Sequence, residues 1–202
     1  MKQEWTPPEQ KDINIKGKKN EFLELLRFTV ITLLIVIPIR MFIAQPFIVN
    51  GESMLPTFHN GDYLIIDEVT YRTTEPERGE VVVFRFPDDN KRFLIKRIIA
   101  LPGEQISISG DNINIKDVDG NRVELDESYI TNEFSSYGTW QLGEDEYFVM
   151  GDNRNASSDS RSWGLLNKDR IVGKTFLRLF PFSGISLRPG EVEAISIERL
   201  SE

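Results

Sequence analysis

The 202-residue chain has no cysteine, which excludes disulfides and thiolate-bound metals. It has one histidine, His59, so a multi-histidine metal site is impossible, and no metal or cofactor is expected. Basic residues are in deficit: 24 lysines and arginines face 32 carboxylates, for a formal charge of −8. A nucleic-acid binder needs a basic footprint, so nucleic acid is not an expected partner. Helical periodicity is also missing beyond residue 48. What is present is ordinary in bulk, with 40% hydrophobic and 28% charged residues. The length suits one domain, or one domain plus an anchor.

Residues 1–21 are polar, with Pro7-Pro8 and a cluster of Lys16, Lys18 and Lys19, and read as a disordered tail. Residues 22–44 are strongly apolar. Only 28–39 is wholly uncharged, which is short for a bilayer crossing and by itself fits a buried core helix. Arg27 and Arg40 flank that run, where long cationic stems can snorkel to the interface. Counting from Leu25 to Ala44 then gives about the 20 residues that ~30 Å of hydrocarbon requires. A cleaved secretory leader would need small residues at its processing site, and Ile43-Ala44-Gln45-Pro46 lacks the pair. Segment 22–44 is therefore expected to be an uncleaved transmembrane helix, with the lipid bilayer as a partner. The lysines ahead of it put the N-terminus in the cytoplasm, which leaves the remaining chain on the far side of the cell membrane.

Short β-branched runs recur from there on, at 63–67, 81–86, 92–100, 105–109, 113–116, 147–150 and 170–179. Turn signals such as Asn60-Gly61-Asp62, Pro102-Gly103 and Asp119-Gly120-Asn121 separate them. The spacing predicts a mainly β fold over 45–186, an antiparallel sandwich or barrel-like body. Residues 105–146 are the most polar and turn-rich, and are expected to form a smaller β lobe. Glu191, Glu193 and Glu198 mark 187–202 as a solvated polar tail.

Two residues carry candidate chemistry. Ser53 follows Asn50-Gly51-Glu52, which breaks the extended run Phe47-Ile48-Val49, so its hydroxyl falls at a turn where backbone N–H groups can converge on an oxyanion. Lys96 interrupts the densely apolar strand Phe93-Leu94-Ile95-Lys96-Arg97-Ile98-Ile99. Strand alternation puts Leu94 and Ile98 on its own face, while Arg97 points the other way. An ammonium so placed loses hydration, its pKa falls, and the neutral amine can act as a general base. The plainer alternatives are a surface serine and a lysine whose head snorkels past a strand edge. A third segment, 151–164, crowds short donors and acceptors after a strand. It is either a solvated loop or a fixed network in which Asp159 and Arg161 pair bidentately and Ser157 meets a neighbouring amine.

Four pieces of sequence together resemble the bacterial type I signal peptidases, the serine–lysine leader peptidases. They are Ser53-Met54-Leu55-Pro56-Thr57, Gly61-Asp62-Tyr63-Leu64-Ile65-Ile66, Lys96-Arg97-Ile98-Ile99-Ala100-Leu101-Pro102-Gly103-Glu104, and Gly151-Asp152-Asn153-Arg154 continuing through Asp159-Ser160-Arg161-Ser162-Trp163-Gly164. The resemblance runs from the apolar segment to about Pro181. It implies a β-rich catalytic domain with a smaller β lobe, in a membrane-bound endopeptidase that removes signal peptides from exported precursors. It implies Ser53 as nucleophile and Lys96 as general base, with Ser157 orienting the lysine amine and Asp159 and Arg161 as a structural pair. Phe47, Val49, Met54 and Ile95 match positions that line shallow pockets for small side chains, so cleavage after Ala-X-Ala sites is implied. One position departs. Many members carry a serine two residues before the nucleophile, where its hydroxyl completes the oxyanion hole; here that residue is Gly51.

The rival readings are few. His59 could serve Ser53 in a histidine triad, although beside Asn60-Gly61 it reads more naturally as a turn residue. The self-cleaving repressors share part of the pattern but would bring a DNA-binding helical domain. A membrane-tethered β-domain that binds peptides without catalysis would have little reason to retain both Ser53 and Lys96.

Overall fold

The computed structural model describes residues 15–42 and 44–192, with side chains described over 21–37 and 45–192. The chain divides into two compact units, Met1–Met41 and Phe42–Glu202.

The first unit is one helix, α1 (Ile15–Phe42), of 28 residues. It begins inside the segment expected to be a tail, because residues 15–21 carry lysines and a glutamate, which tolerate helix well, and no proline. Residues 1–14 of that expected tail lie outside the described residues. Every described side chain of α1 is exposed, including Phe22 at 65%, Phe28 at 70% and Leu34 at 68%. The hydroxyls of Thr29 and Thr32 donate to the carbonyls of Leu25 and Phe28 one turn back, so neither needs an outside partner. Among the described residues no helix is long and apolar enough to cross a membrane; the expected span 22–44 runs beyond the side chains that are described.

The second unit is mainly β and holds two antiparallel sheets. The strands are β1 (Ala44–Ile48), β2 (Tyr63–Asp67), β3 (Val81–Phe86), β4 (Asp89–Ala100), β5 (Gln105–Gly110), β6 (Asn112–Lys116), β7 (Arg122–Val123), β8 (Ser136–Gln141), β9 (Glu146–Met150), β10 (Leu166–Asn167), β11 (Ile171–Phe180) and β12 (Ser186–Leu187). The larger sheet runs β1-β2-β11-β3-β4-β9-β10, with β12 also on β11. The smaller runs β7-β6-β5-β8.

Alternation explains the larger sheet. In β2, Leu64 and Ile66 turn inward and are fully buried, while the residues between them are not. In β4 the pattern splits between two cores: Ile95 packs with Val49, Met54 and Val83, whereas Leu94 and Ile98 pack with Val82 and Phe84. Pro46 has no N–H to donate and sits in β1, an edge strand, where a missing ladder bond costs least. The sheet curls. Strands first and fifth in order come together, with the rings of Phe47 on β1 and Phe93 on β4 edge to face at 5.4 Å.

The smaller sheet occupies most of 105–146 but is not a detached lobe. Its Ile106, Ile108 and Ile115 share one apolar core with Ile99, Phe148 and Met150 of the larger sheet, so both belong to the same compact unit. The C-terminal residues up to 192 are likewise built in. Pro189 O accepts the Thr175 hydroxyl at 3.0 Å, and Gly190 O accepts a proton of Arg97 at 2.5 Å. The expected solvated tail can begin only after them, and residues 193–202 lie outside the described residues.

Candidate active site

Ser53 sits in a loop, 49–62, that closes on itself where β1 ends and β2 begins. Val49 N–H donates to Asp62 O at 2.9 Å and Gly61 N–H to Val49 O at 2.8 Å. Gly51 adopts φ +99°, a left-handed conformation that favours glycine, and its N–H donates to Asn60 Oδ1 at 2.9 Å. Phe58, fully buried, pins the far side of the loop, and the Arg178 guanidinium lies over its ring at 5.0 Å.

The strand β4 carries Lys96 to this loop. Its Nζ donates to Ser53 Oγ at 2.7 Å and to the carbonyl of Ile95 at 2.8 Å. Lys96 is 2% exposed. Burial strips the ammonium of water and pulls its pKa from the ordinary 10.5 down to about 8. The charges of Asp159 and Asp152 push it back up, and that of Arg92 adds to the lowering. A measurable fraction of the amine is therefore neutral near pH 7.

The turn 151–153 braces the loop. Asn153 N–H donates to Ser53 O at 3.0 Å, and Asn153 Nδ2 to Glu52 O at 3.1 Å. Asp152 receives the Thr57 hydroxyl at 2.5 Å and is held bidentately by Arg97, Nε to Oδ1 at 2.8 Å and the terminal nitrogen to Oδ2 at 2.6 Å. Both members of that pair are almost wholly buried, and Tyr129 stacks on the guanidinium at 4.0 Å. Gly151 is where the backbones come closest: a Cβ there would overlap the Ser53 carbonyl and the Ser157 hydroxyl.

The other expected site residues divide. Asp159 and Arg161 form a bidentate pair, both bonds at 2.8 Å. Asp159 also accepts Gly151 N–H at 3.0 Å and caps the short helix α2 (Ser160–Trp163). Ser157 Oγ is buried without a hydrogen-bond partner, and the second contact of the Lys96 amine is Ile95 O rather than this hydroxyl. Phe47, Val49 and Ile95 line a groove of about 80 Å³ together with Ser53 and Lys96. Met54 does not line it. Only 1% exposed, Met54 turns into the core beside Phe58 and Leu64, because residues on either side of a tight turn diverge and its apolar chain follows the core side. Ile48, Asn50, Leu64, Val83, Phe93 and Leu94 complete the groove instead. His59 is exposed and is not part of the groove.

Sequence reasoning did not find Arg97, Asp152 or Asn153 as site residues. The adjacency Lys96-Arg97 was the signal for Arg97 alone, since alternation sends one side chain to the loop and the other to the support behind it. A larger cavity, about 530 Å³, lies between the end of β4 and the 117–129 segment, but no serine or lysine lines it.

A hydroxyl bonded to a desolvated amine, in an apolar groove with room for a small side chain, can open an acyl bond without metal or histidine. Such an arrangement is the one that a serine hydrolase with an amine base would require. Residues 22–180 match the family described as signal peptidase, peptidase S26, and the chain belongs to that family. It is 37% identical over 186 residues to the probable signal peptidase I-2 of Synechocystis, covering 89% of this chain and 83% of that one. It is 35% identical to signal peptidase I P of Bacillus subtilis subsp. natto, covering 84% and 95%. It is 32% identical to signal peptidase I of Leptolyngbya laminosa, covering 87% and 88%.

Proposed function

We propose that this chain is a membrane-bound endopeptidase that removes signal peptides from exported precursors, with Ser53 as nucleophile and Lys96 as general base. The observation that carries the assignment of roles is the 2.7 Å contact between a buried lysine amine and the serine hydroxyl. Neutral Lys96 takes the Ser53 proton as Oγ attacks the scissile carbonyl. The tetrahedral oxyanion collapses to an acyl-enzyme as the amine of the mature protein leaves with a proton from Lys96. Lys96 then deprotonates water, which releases the signal peptide and regenerates the serine.

The substrate enters extended. β4 pairs with β9 only from Arg97 onward, and β1 ends the sheet, so both strands offer free edges beside the groove. A precursor segment adding to these edges takes main-chain hydrogen bonds from the strands and leaves side chains to the pockets. A volume of about 80 Å³ suits alanine-sized groups and rejects large ones, which supports cleavage after small residues. Ser157 serves the lysine during turnover: its unpaired hydroxyl accepts from the amine once Ser53 is acylated. Asp159 and Arg161 hold the 151–161 segment.

The apolar helix α1 is the anchor. Its exposed apolar surface all round, and its self-satisfied threonines, suit lipid rather than water. Lys16, Lys18 and Lys19 place its N-terminal end in the cytoplasm. Tethering enzyme and membrane-bound precursor to one surface raises their effective concentration.

The roles are tested by cleavage of a purified precursor with an Ala-X-Ala site in detergent. Ser53→Ala and Lys96→Ala are expected to abolish cleavage while staying folded, and His59→Ala to retain it. Activity in folded Ser53→Ala would overturn the assignment.

A further inference from the structure

An enzyme that attacks a peptide carbonyl must also stabilise the oxyanion, and the glycine two residues before Ser53 brings no side-chain donor to that task. Gly51 has no hydroxyl, and its N–H is already spent on Asn60 Oδ1 at 2.9 Å. The Ser53 N–H donates to nothing among the described residues and supplies one donor. A second is needed, since each such donor is worth ~10²–10³ in rate.

The groove offers one. Of the side chains that line it, only Asn50, Ser53 and Lys96 are polar. Ser53 and Lys96 are committed to attack and proton transfer. Asn50 is exposed at the groove wall, and its amide nitrogen makes a single long bond, 3.4 Å to Ile48 O. One amide proton is entirely free and the other weakly held. By contrast Asn153 has its amide engaged by Glu52 O at 3.1 Å and cannot turn without releasing the loop, and Asn60, held by Gly51 N–H, does not line the groove.

We infer that the Asn50 side-chain amide is the second oxyanion donor, acting with the Ser53 N–H and replacing the hydroxyl that Gly51 lacks. This rests on Ser53 being the nucleophile. Rotation of Asn50 away from Ile48 O gives up one weak bond, and the amide N–H then meets charge that develops only in the transition state. The contribution therefore appears in kcat and not in KM.

The test measures kcat and KM of the full chain on an Ala-X-Ala precursor for Asn50→Ala and Asn50→Asp, with Ser53→Ala alongside. Thermal melts confirm folding, which an exposed side chain with one 3.4 Å bond is not expected to disturb. The expected result is a kcat lowered ~10²–10³-fold in Asn50→Ala with KM within about threefold of wild type. Asn50→Asp, which keeps the shape but opposes the oxyanion with a charge, falls at least as far. An unchanged kcat in both variants overturns the inference, as does a loss carried wholly by KM, which would make Asn50 a ground-state contact to the substrate backbone. Residual activity in Ser53→Ala equal to wild type would instead remove the nucleophile assignment itself, whatever Asn50 does.

Discussion

Burying an ammonium among aliphatic side chains disfavours its charge, and at Lys96 the same burial that favours the neutral amine weakens the fold. A pKa lowered from 10.5 to about 8 corresponds to ~3 kcal/mol against the protonated amine at neutral pH. Below pH 8 the lysine is charged in both folded and unfolded states, and the folded state carries the whole penalty. Between pH 8 and 10.5 the unfolded chain holds the proton that the folded chain has lost, so stability rises with pH across that window. Lys96→Met keeps the volume and removes the charge. It is expected to abolish cleavage yet raise stability at pH 7 by on the order of 2 kcal/mol, an advantage that fades toward pH 10.5. Chemical denaturation of both proteins at pH 7 and pH 10 measures it; a less stable variant at pH 7 would mean that the hydrogen bonds to Ser53 and Ile95 outweigh desolvation.

The Ser53 loop and the 151–153 turn work as one element, joined by the bonds of Asn153 to Ser53 O and Glu52 O and by Asp152 between Thr57 and Arg97. Gly151 is the closest approach, so a methyl group there must push apart the Ser53 carbonyl and the Ser157 hydroxyl. Gly151→Ala is accordingly expected to cost about 1–3 kcal/mol of stability and to lower kcat by at least 10-fold, as read by melts and steady-state kinetics together. A variant with wild-type kcat would show that the two segments tolerate displacement. Much of this element was written locally in the sequence. The alternation around Lys96 and the turn formers at 50–52 announced where a buried amine and a hydroxyl would sit. Asp152 was not legible as a brace because its partner Arg97 lies 55 residues away, and only the β4–β9 register brings them together. Met54 misled for a related reason: next to Ser53 in sequence, it turns to the opposite side of a tight loop.

Across the whole molecule, period-2 patterning foretold β2 and β3 to the residue and most of β4, β5, β6, β9 and β11. It passed over β7, β10 and β12, which are two residues each and carry no period, and β8, whose Gly138 and polar residues hide the alternation. The curl that brings Phe47 to Phe93 and so forms the groove is tertiary, and no local pattern encodes it. The apolar run 22–44 is helical from its start to Phe42, and its partner is expected to be lipid. The full chain should remain in the membrane pellet after alkaline carbonate extraction, with the β unit digestible by protease only from the extracytoplasmic side; release into the supernatant would contradict the anchor.

Attack by Ser53 requires a lysine amine that is neutral enough to accept a proton, and the pH dependence of kcat/KM on an Ala-X-Ala substrate tests this most directly. The rate is predicted to climb tenfold per pH unit below a midpoint near 8 and then level off, with the same midpoint in His59→Ala. A pH dependence that disappears in His59→Ala would contradict it and hand the base to histidine.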